Sequence, residues 1–278
     1  MREHRITALL LAPAMTVFAV LFIVPLAYFF VISFWRKVLF AMRPDFTFVN
    51  YGQVYDQHSA TLAFTLGLAF VVAALTTALG FIYAYLIRFK AGRWGPALLF
   101  IALITLFGGY LVKIYAWMTI LGIKGVLNTA LLALGVIDEP LSWLYYNPGA
   151  VVVTLVNFSL PLAILPIYAS MRGITDIELE AARDLGAGGW RSFSDIVVPR
   201  SHVGTMAGFG LCFLLAGGDY LTPQLVGGKV NMIGVQIAAQ FGLIFNWPMG
   251  AAMSFVTLGL SSAVALLTIY LFSQWRPR

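Results

Sequence analysis

A chain of 278 residues that is 61% apolar and only 10% charged lies outside the range of soluble globular domains, which run near ~45–50% apolar and ~25% charged. So few charges cannot keep a chain of this length dissolved in water, which excludes a soluble domain with one water-facing surface. The formal net charge of +6 is spread over short stretches between apolar runs rather than along one basic stripe, which argues against nucleic acid as a partner.

A spanning helix needs about 20 mostly apolar residues, and six stretches qualify, at about 6–34, 60–87, 96–121, 149–170, 201–221 and 250–274. They predict an all-α integral membrane protein, a six-helix bundle forming one transmembrane domain over residues 1–278. The first stretch follows MREHR but outruns the ~7–15 apolar residues of a signal peptide and lacks a small-x-small cleavage site, so it reads as a retained span. Pro13 and Pro25 interrupt its backbone ladder, as Pro161 and Pro166 do in the fourth stretch; a membrane tolerates this where neighbouring helices or cavity water satisfy the freed carbonyls. The third stretch carries Tyr110, Lys113 and Trp117, and the fourth carries Asn157. In the fifth, Gly204 and Gly208 form a small-xxx-small pair that permits close helix approach. Cys212 reads as a small core residue, and Gly217-Gly218 precede Asp219 and Tyr220.

The positive-inside rule orients the bundle. With the N-terminus in the cytoplasm, one side collects Arg2, Arg5, Arg88, Lys90, Arg93, Arg172, Arg183, Arg191, Arg200, Arg276 and Arg278. The other holds Arg36, Lys37, Arg43, Lys124 and Lys229, with Lys113 inside a span. Eleven against five places both termini in the cytoplasm, although the cluster Arg36, Lys37 and Arg43 runs against the rule.

Catalytic chemistry is poorly supported. The string nearest to a phosphate-binding loop, Gly227-Gly228-Lys229-Val230, lacks both the glycine spacing and the Ser/Thr that would hold Mg²⁺. His4, His58 and His202 have no ligand-spaced partners, so no metal site is expected. Energy for any work the chain does must come from elsewhere.

The stretch between the fourth and fifth spans, residues 173–200, is built as a folded element. Thr175 and Glu178 form a capping box that starts a helix near Asp176. Ile177, Ala181 and Leu185 recur at i, i+4 and i+8 on one face. Gly186 and then Gly188-Gly189 stop that helix, because glycine enters left-handed geometry without a Cβ penalty. A second short amphipathic helix is expected to follow, with Trp190, Phe193, Ile196 and Val197 on one side and Pro199 closing it. Physics alone leaves two uses open: lying on lipid headgroups or docking on a partner.

The string EAARDLGAGGWRSFSDIVVP resembles the EAA signature of binding-protein-dependent (type I) ABC importer permeases: Glu-Ala-Ala, three residues, Gly, nine residues, Ile-x-Leu-Pro. Glu180, Ala181, Ala182, Gly186, Ile196 and Pro199 match in type and spacing, with Val198 where Leu is usual. LVKIYAW (111–117), KGVLNTALLALGVIDEPL (124–141), LPIYASM (165–171) and GGDYLTPQLVGG (217–228) are similar to the polyamine branch, the first permease of spermidine and putrescine importers. Lys113 and Ile114 depart from the common LVRTYAW, and Gly218-Asp219-Tyr220 from a GDF-type triplet.

The resemblance implies a multi-pass permease of a bacterial inner membrane, without catalysis or a cofactor of its own. It would pair with a second, similar permease and take solute from a periplasmic solute-binding protein. Two ATP-binding cassette subunits, which hold the ATP and Mg²⁺, would dock on hairpins formed by Glu180, Ala181, Ala182, Gly186, Phe193, Ile196 and Pro199. A polyamine is the first substrate expected; opines, amino-acid derivatives, phosphonates and ferric ion are carried by relatives in the broad group, and a non-transport scaffold is the alternative of a different class. Asp219, Tyr220, Lys113, Tyr110, Trp117 and Asn157 are the candidate pathway residues, and a Lys113 to Asp219 pair would reconcile a cation with a cationic solute.

Overall fold

The computed structural model describes residues 2–39 and 41–274; Arg276 and Arg278 of the charge asymmetry lie outside the described residues. Among those residues the fold is helical apart from one hairpin: α1 (Arg2–Phe18), α2 (Val24–Ile32), β1 (Arg36–Val38), β2 (Ala41–Arg43), α3 (Val49–Phe89), α4 (Gly95–Ile104), α5 (Tyr110–Leu121), α6 (Val126–Ala133), α7 (Pro148–Arg172), α8 (Asp176–Asp184), α9 (Gly189–Ser192), α10 (Val198–Gly218), α11 (Leu221–Leu225), α12 (Ile233–Gly242) and α13 (Trp247–Gln274). Six described helical stretches are long and apolar enough to cross a membrane: Leu10–Ile32, Val49–Phe89, Tyr110–Ala133, Pro148–Arg172, Gly189–Gly218 and Trp247–Phe272.

The expected span at 96–121 is not one continuous helix, and the third stretch above is likewise two helices, α5 and α6, parted at Gly122. The expected run breaks into α4, a 3₁₀ turn over Thr105–Phe107 and α5, because Gly108 and Gly109 adopt extended ψ angles of 129° and 137°. An apolar count cannot see such a break, since glycine leaves hydropathy high while it frees the backbone.

The chain divides into two compact units. One contains the described residues up to Ala60 together with Gln236–Leu258. Here the β1–β2 hairpin is tied to the chain around it: Asn50 Nδ2 donates to the carbonyls of Ser33 and Trp35, each at 2.8 Å, and the Thr47 amide donates to Phe34 at 2.9 Å. Phe29 packs on Phe241 and Trp247, and Phe30 on Phe255, with ring centroids 5.0–6.3 Å apart.

The other unit, Thr61–Val235 with the described residues from Gly259 on, holds the densest core. It is built from Leu68, Val72 and Ala73 of α3, Leu155, Ala163 and Ile167 of α7, and Phe209, Cys212 and Phe213 of α10. Lipid tails are as apolar as leucine, so helices in a membrane associate through close contact of small residues rather than by escape from water. The α7–α10 seam shows this: a Cβ on Gly204 would stand 2.2 Å from the Pro166 carbonyl oxygen, and one on Gly208 would stand 3.2 Å from Ala163 Cα. The small-xxx-small reading of the fifth span therefore holds.

Two prolines have the same local solution. A π turn over Ala19–Ile23 precedes Val24-Pro25, and another over Phe193–Val197 precedes Val198-Pro199. In each, the valine amide reaches back five residues, to Ala19 and Phe193, and the widened turn relieves the clash of the proline ring with the carbonyl four residues earlier. Pro199 thus does not close a second short helix, as the sequence led us to expect. Residues 189–218 run on as one helical stretch.

Candidate functional site: the α8–α9 hairpin and a polar cluster at a broken helix

The hairpin forms as its residues dictate. Thr175 Oγ1 accepts from the Glu178 amide at 3.3 Å and starts α8. At the other end Gly186 has φ +84°, its amide donates to the Arg183 carbonyl at 2.8 Å, and the Ala187 amide donates to Ala182 at 2.9 Å. This pair of 5→2 and 6→1 bonds is a Schellman cap.

Two arginines hold α8 from elements on either side of it in sequence. From the end of α3, Arg88 Nη2 donates to the Ile174 carbonyl at 2.6 Å and to Asp176 Oδ1 at 2.9 Å. From α10, Arg200 hydrogen-bonds Glu178, and this bond holds the Glu178 carboxyl below the usual carboxylate range, against a smaller opposing effect of burial. The contact is therefore complete at neutral pH and weakens as pH falls through the Glu178 pKa. Neither arginine was more than a topogenic charge in the sequence. The one local signal was the Glu of the capping box, and its partner lies 22 residues on.

The signature residues divide into two sets. Glu180 and Ala181 are exposed, as are Ile177 and Leu185, at 76% and 89%; Ile177, Ala181 and Leu185 make an apolar face of α8 that no described residue covers, and Trp190 of α9 is 79% exposed. Ala182 is half-buried and Gly186 exposed. Phe193 touches Trp190 at 5.5 Å between centroids and packs edge-on against Phe81 and Tyr85 of α3, with centroids 6.0 and 5.5 Å away. Ile196 also packs against the core, and Pro199 is half-buried at the start of α10. A cleft of about 580 Å³ opens beside Glu180, lined by Arg88, Lys90, Arg183 and Phe193 among others.

The second locus is a polar cluster on α5, α7 and the end of α10. The break at Gly108-Gly109 starts α5 at Tyr110, and i, i+3, i+7 spacing puts Tyr110, Lys113 and Trp117 on one face. Tyr110 Oη donates to Asp219 Oδ1 at 2.6 Å and lies 2.7 Å from Thr222 Oγ1. The other carboxylate oxygen, Oδ2, accepts from the Thr222 amide at 3.1 Å, so Asp219 bridges the end of α10 to the start of α11. Trp117 Nε1 donates to Asn157 Oδ1 at 3.2 Å. Tyr220 is 42% exposed, and its Cβ is 3.2 Å from the Cβ position of Gly234.

Lys113 does not pair with Asp219. Its Nζ lies 5.2 Å from the Phe158 ring centroid, shielded from solvent and with no hydrogen-bond partner among the described residues, while Phe158 also packs on Tyr110 at 4.3 Å. An aromatic face replaces a carboxylate as its neighbour. Phe158 and Thr222 went unrecognised in the sequence. Thr222 had a readable cue, since an Asp three residues before a helical amide is a capping pattern; Phe158 had none.

A family described as "Binding-protein-dependent transport system inner membrane component" matches residues 90–276. The spermidine/putrescine transport system permease protein PotB of Escherichia coli (strain K12) is 35% identical over 231 residues, covering 82% of this chain and 83% of the relative. The inner membrane ABC transporter permease protein YdcU of the same strain is 29% identical over 245 residues, covering 83% and 76%. Among solved structures, a bacterial alginate ABC transporter in complex with an alginate pentasaccharide-bound periplasmic protein contains a chain that superposes with a TM-score of 0.72 at 14% identity, covering 96% of this chain and 93% of that one.

Proposed function

This chain belongs to the binding-protein-dependent transport system inner membrane components, the permease subunits of ABC importers, and from that premise we propose how it is assembled, oriented and loaded. It pairs with a second permease of the same kind. Two ATP-binding cassette subunits, which bind the ATP and Mg²⁺, dock on the α8–α9 hairpins, and closure of that ATPase pair drives alternating access. A periplasmic solute-binding protein delivers the solute, and both termini lie in the cytoplasm.

The observation that carries the reading is the exposed α8 face of Ile177, Ala181 and Leu185, with Glu180 exposed on the same helix. Monomeric soluble surfaces rarely leave such a patch uncovered, and the Arg88 and Arg200 contacts hold it on a fixed platform. Residues 1–278 act in this reading as one transmembrane domain, with Tyr110, Lys113, Trp117, Asn157, Asp219 and Tyr220 along or beside the solute pathway. A polyamine is the substrate we favour, because relatives 35% identical are named for spermidine and putrescine transport.

A second reading of the substrate has one observation in its favour. Lys113 is a shielded cation without an anionic partner among the described residues, which suits a solute bearing a carboxylate or phosphonate, and a relative from Salmonella paratyphi A is named a putative 2-aminoethylphosphonate transport system permease. A thermal-shift ligand screen on the cognate binding protein separates the two.

Cysteine accessibility tests the arrangement. Cys212 is buried, so the parent gives a silent background. Asp184→Cys and Glu139→Cys both sit at exposed positions. In intact cells an impermeant thiol reagent labels the 139 variant and spares the 184 variant; the reverse pattern overturns the orientation, and with it docking of ATPases on α8. In the same preparation, Ile177→Asp/Leu185→Asp reduces ATPase co-purification at least tenfold while membrane level holds. Undiminished co-purification means the face has another use.

A further inference from the structure

The β1–β2 hairpin holds a charge arrangement that its own unit does not satisfy. Antiparallel pairing sets Arg36 opposite Arg43, with Val38 opposite Ala41. Directly opposed like charges weaken a strand pair, and both guanidinium side chains are exposed. Among the described residues neither forms an ion pair; the three pairs found belong to Arg88, Arg191 and Arg200. Lys37, on the alternate face, donates to the Ile244 carbonyl and so is already in use.

The surroundings are those of a membrane–water boundary. The first span ends at Ile32, four residues before Arg36. Around it stand Trp35, in edge contact with Tyr28 at 6.3 Å, and Phe34, within 5.3–6.4 Å of Phe46, Phe48 and Tyr51. Leu39, Phe46 and Phe48 are 83%, 78% and 75% exposed. Aromatic side chains at a span end mark the headgroup level, and apolar side chains exposed there have acyl chains available to them. The Asn50 and Thr47 hydrogen bonds hold the hairpin against the span end instead of leaving it to drift in water.

We propose that Arg36 and Arg43 form a binding site for the phosphate of an anionic phospholipid in the leaflet where the first span ends, with Leu39, Phe46 and Phe48 against its acyl chains. A phosphate between two guanidinium groups accepts several charge-assisted bonds and turns a repulsive cross-strand pair into an attractive one. The proposal also accounts for two of the five cations on the side that the positive-inside count leaves poor, and it needs only that the chain spans a membrane, not that the transport reading holds.

The test uses the full chain, purified with whatever subunits accompany it, delipidated in detergent and titrated with phosphatidylglycerol or phosphatidylcholine carrying brominated acyl chains; of the quenching of its seven tryptophans, the part lost in Trp35→Phe reports the site beside Arg36. Juxtamembrane cations contribute roughly fivefold each to anionic-lipid affinity, so Arg36→Gln/Arg43→Gln weakens phosphatidylglycerol binding about 25-fold and leaves phosphatidylcholine binding unchanged. Arg36→Lys/Arg43→Lys stays within about threefold of the parent, which checks that the hairpin still folds. If the double Gln variant fails to accumulate, Arg43→Gln alone carries the test at about fivefold. Unchanged phosphatidylglycerol affinity in the Gln variants overturns the proposal. So does displacement of the lipid by millimolar inorganic phosphate, which would mark a site for a soluble anion. Intact lipid binding with lost stimulation of ATPase by the binding protein overturns it as well, because the arginines would then serve a protein contact.

Discussion

Gly204 and Gly186 are the same residue used for opposite reasons. At Gly204 the backbone is helical and the space is gone, with a Cβ position 2.2 Å from Pro166 O and 2.3 Å from Ser170 Oγ. At Gly186 the space is open, with nothing within 4 Å of the Cβ position, but φ is +84°. The first glycine serves a contact already made within the chain. The second serves a shape, the end of a short helix whose outer face is left bare. The difference separates a region that the chain completes by itself, the α7–α10 seam, from one that it prepares for something else, the α8–α9 hairpin.

Substitution at the seam should have the largest effect. Gly204→Val drives two branches into the Pro166 carbonyl, and since overpacking of a well-packed core costs about 1–3 kcal/mol or more, the chain should fall severalfold in membrane level and lose thermal stability in detergent. Normal accumulation of that variant would mean the two helices are free to separate, and the contrast with the hairpin would collapse.

Gly186→Val should come next, with a different signature. A β-branched residue in left-handed geometry costs about 1–3 kcal/mol, enough to unseat the Schellman cap but spent outside the spans. Membrane level should hold near the parent value while ATPase co-purification and solute uptake fall together. Glu180→Ala should act in the same direction more mildly. If Gly186→Val instead depletes the membrane as Gly204→Val does, the hairpin is part of the folding core.

Asp219→Asn should give the smallest change. The amide keeps the shape and still accepts from Tyr110 or the Thr222 amide, so the loss is the charge assistance of those bonds, worth about 1 kcal/mol. Assembly should be intact and uptake of a cationic solute reduced severalfold. Unchanged uptake would make Asp219 only the bridge between α10 and α11.

Much of this was legible in the residues because it is local. Six apolar runs were long enough to mark the spans, Thr175 and Glu178 announced a helix start, Gly186 a helix end, and Gly204 with Gly208 a close seam. Two misreadings were local, the break at Gly108-Gly109 and the π turn that carries the chain through Pro199; the others come from contacts between residues far apart in the chain. Tyr110 meets Asp219 and Thr222 across 109 and 112 positions, and Arg88 meets Asp176 across 88. No periodicity encodes such a meeting, so Lys113 was matched to the one acid at the edge of a span when its neighbour is the Phe158 ring. The apolar stripe of Ile177, Ala181 and Leu185 was also legible, but not whether its own chain would cover it.

A π turn is an α-helix carrying one residue too many. Between the hairpin and α10, the turn at Phe193–Val197 therefore offsets the side chains before it from those after it by one residue's angular step, about 100°. Phe193 faces Phe81 and Tyr85 while Gly204 and Gly208 face α7 because of that offset. Removing one residue between Ser194 and Val197 would restore an uninterrupted helix and swing the hairpin a quarter-turn around the axis of the fifth span. The direction of the exposed α8 face thus depends on residue count as well as on residue identity, and a one-residue deletion that keeps every signature residue would still turn it away.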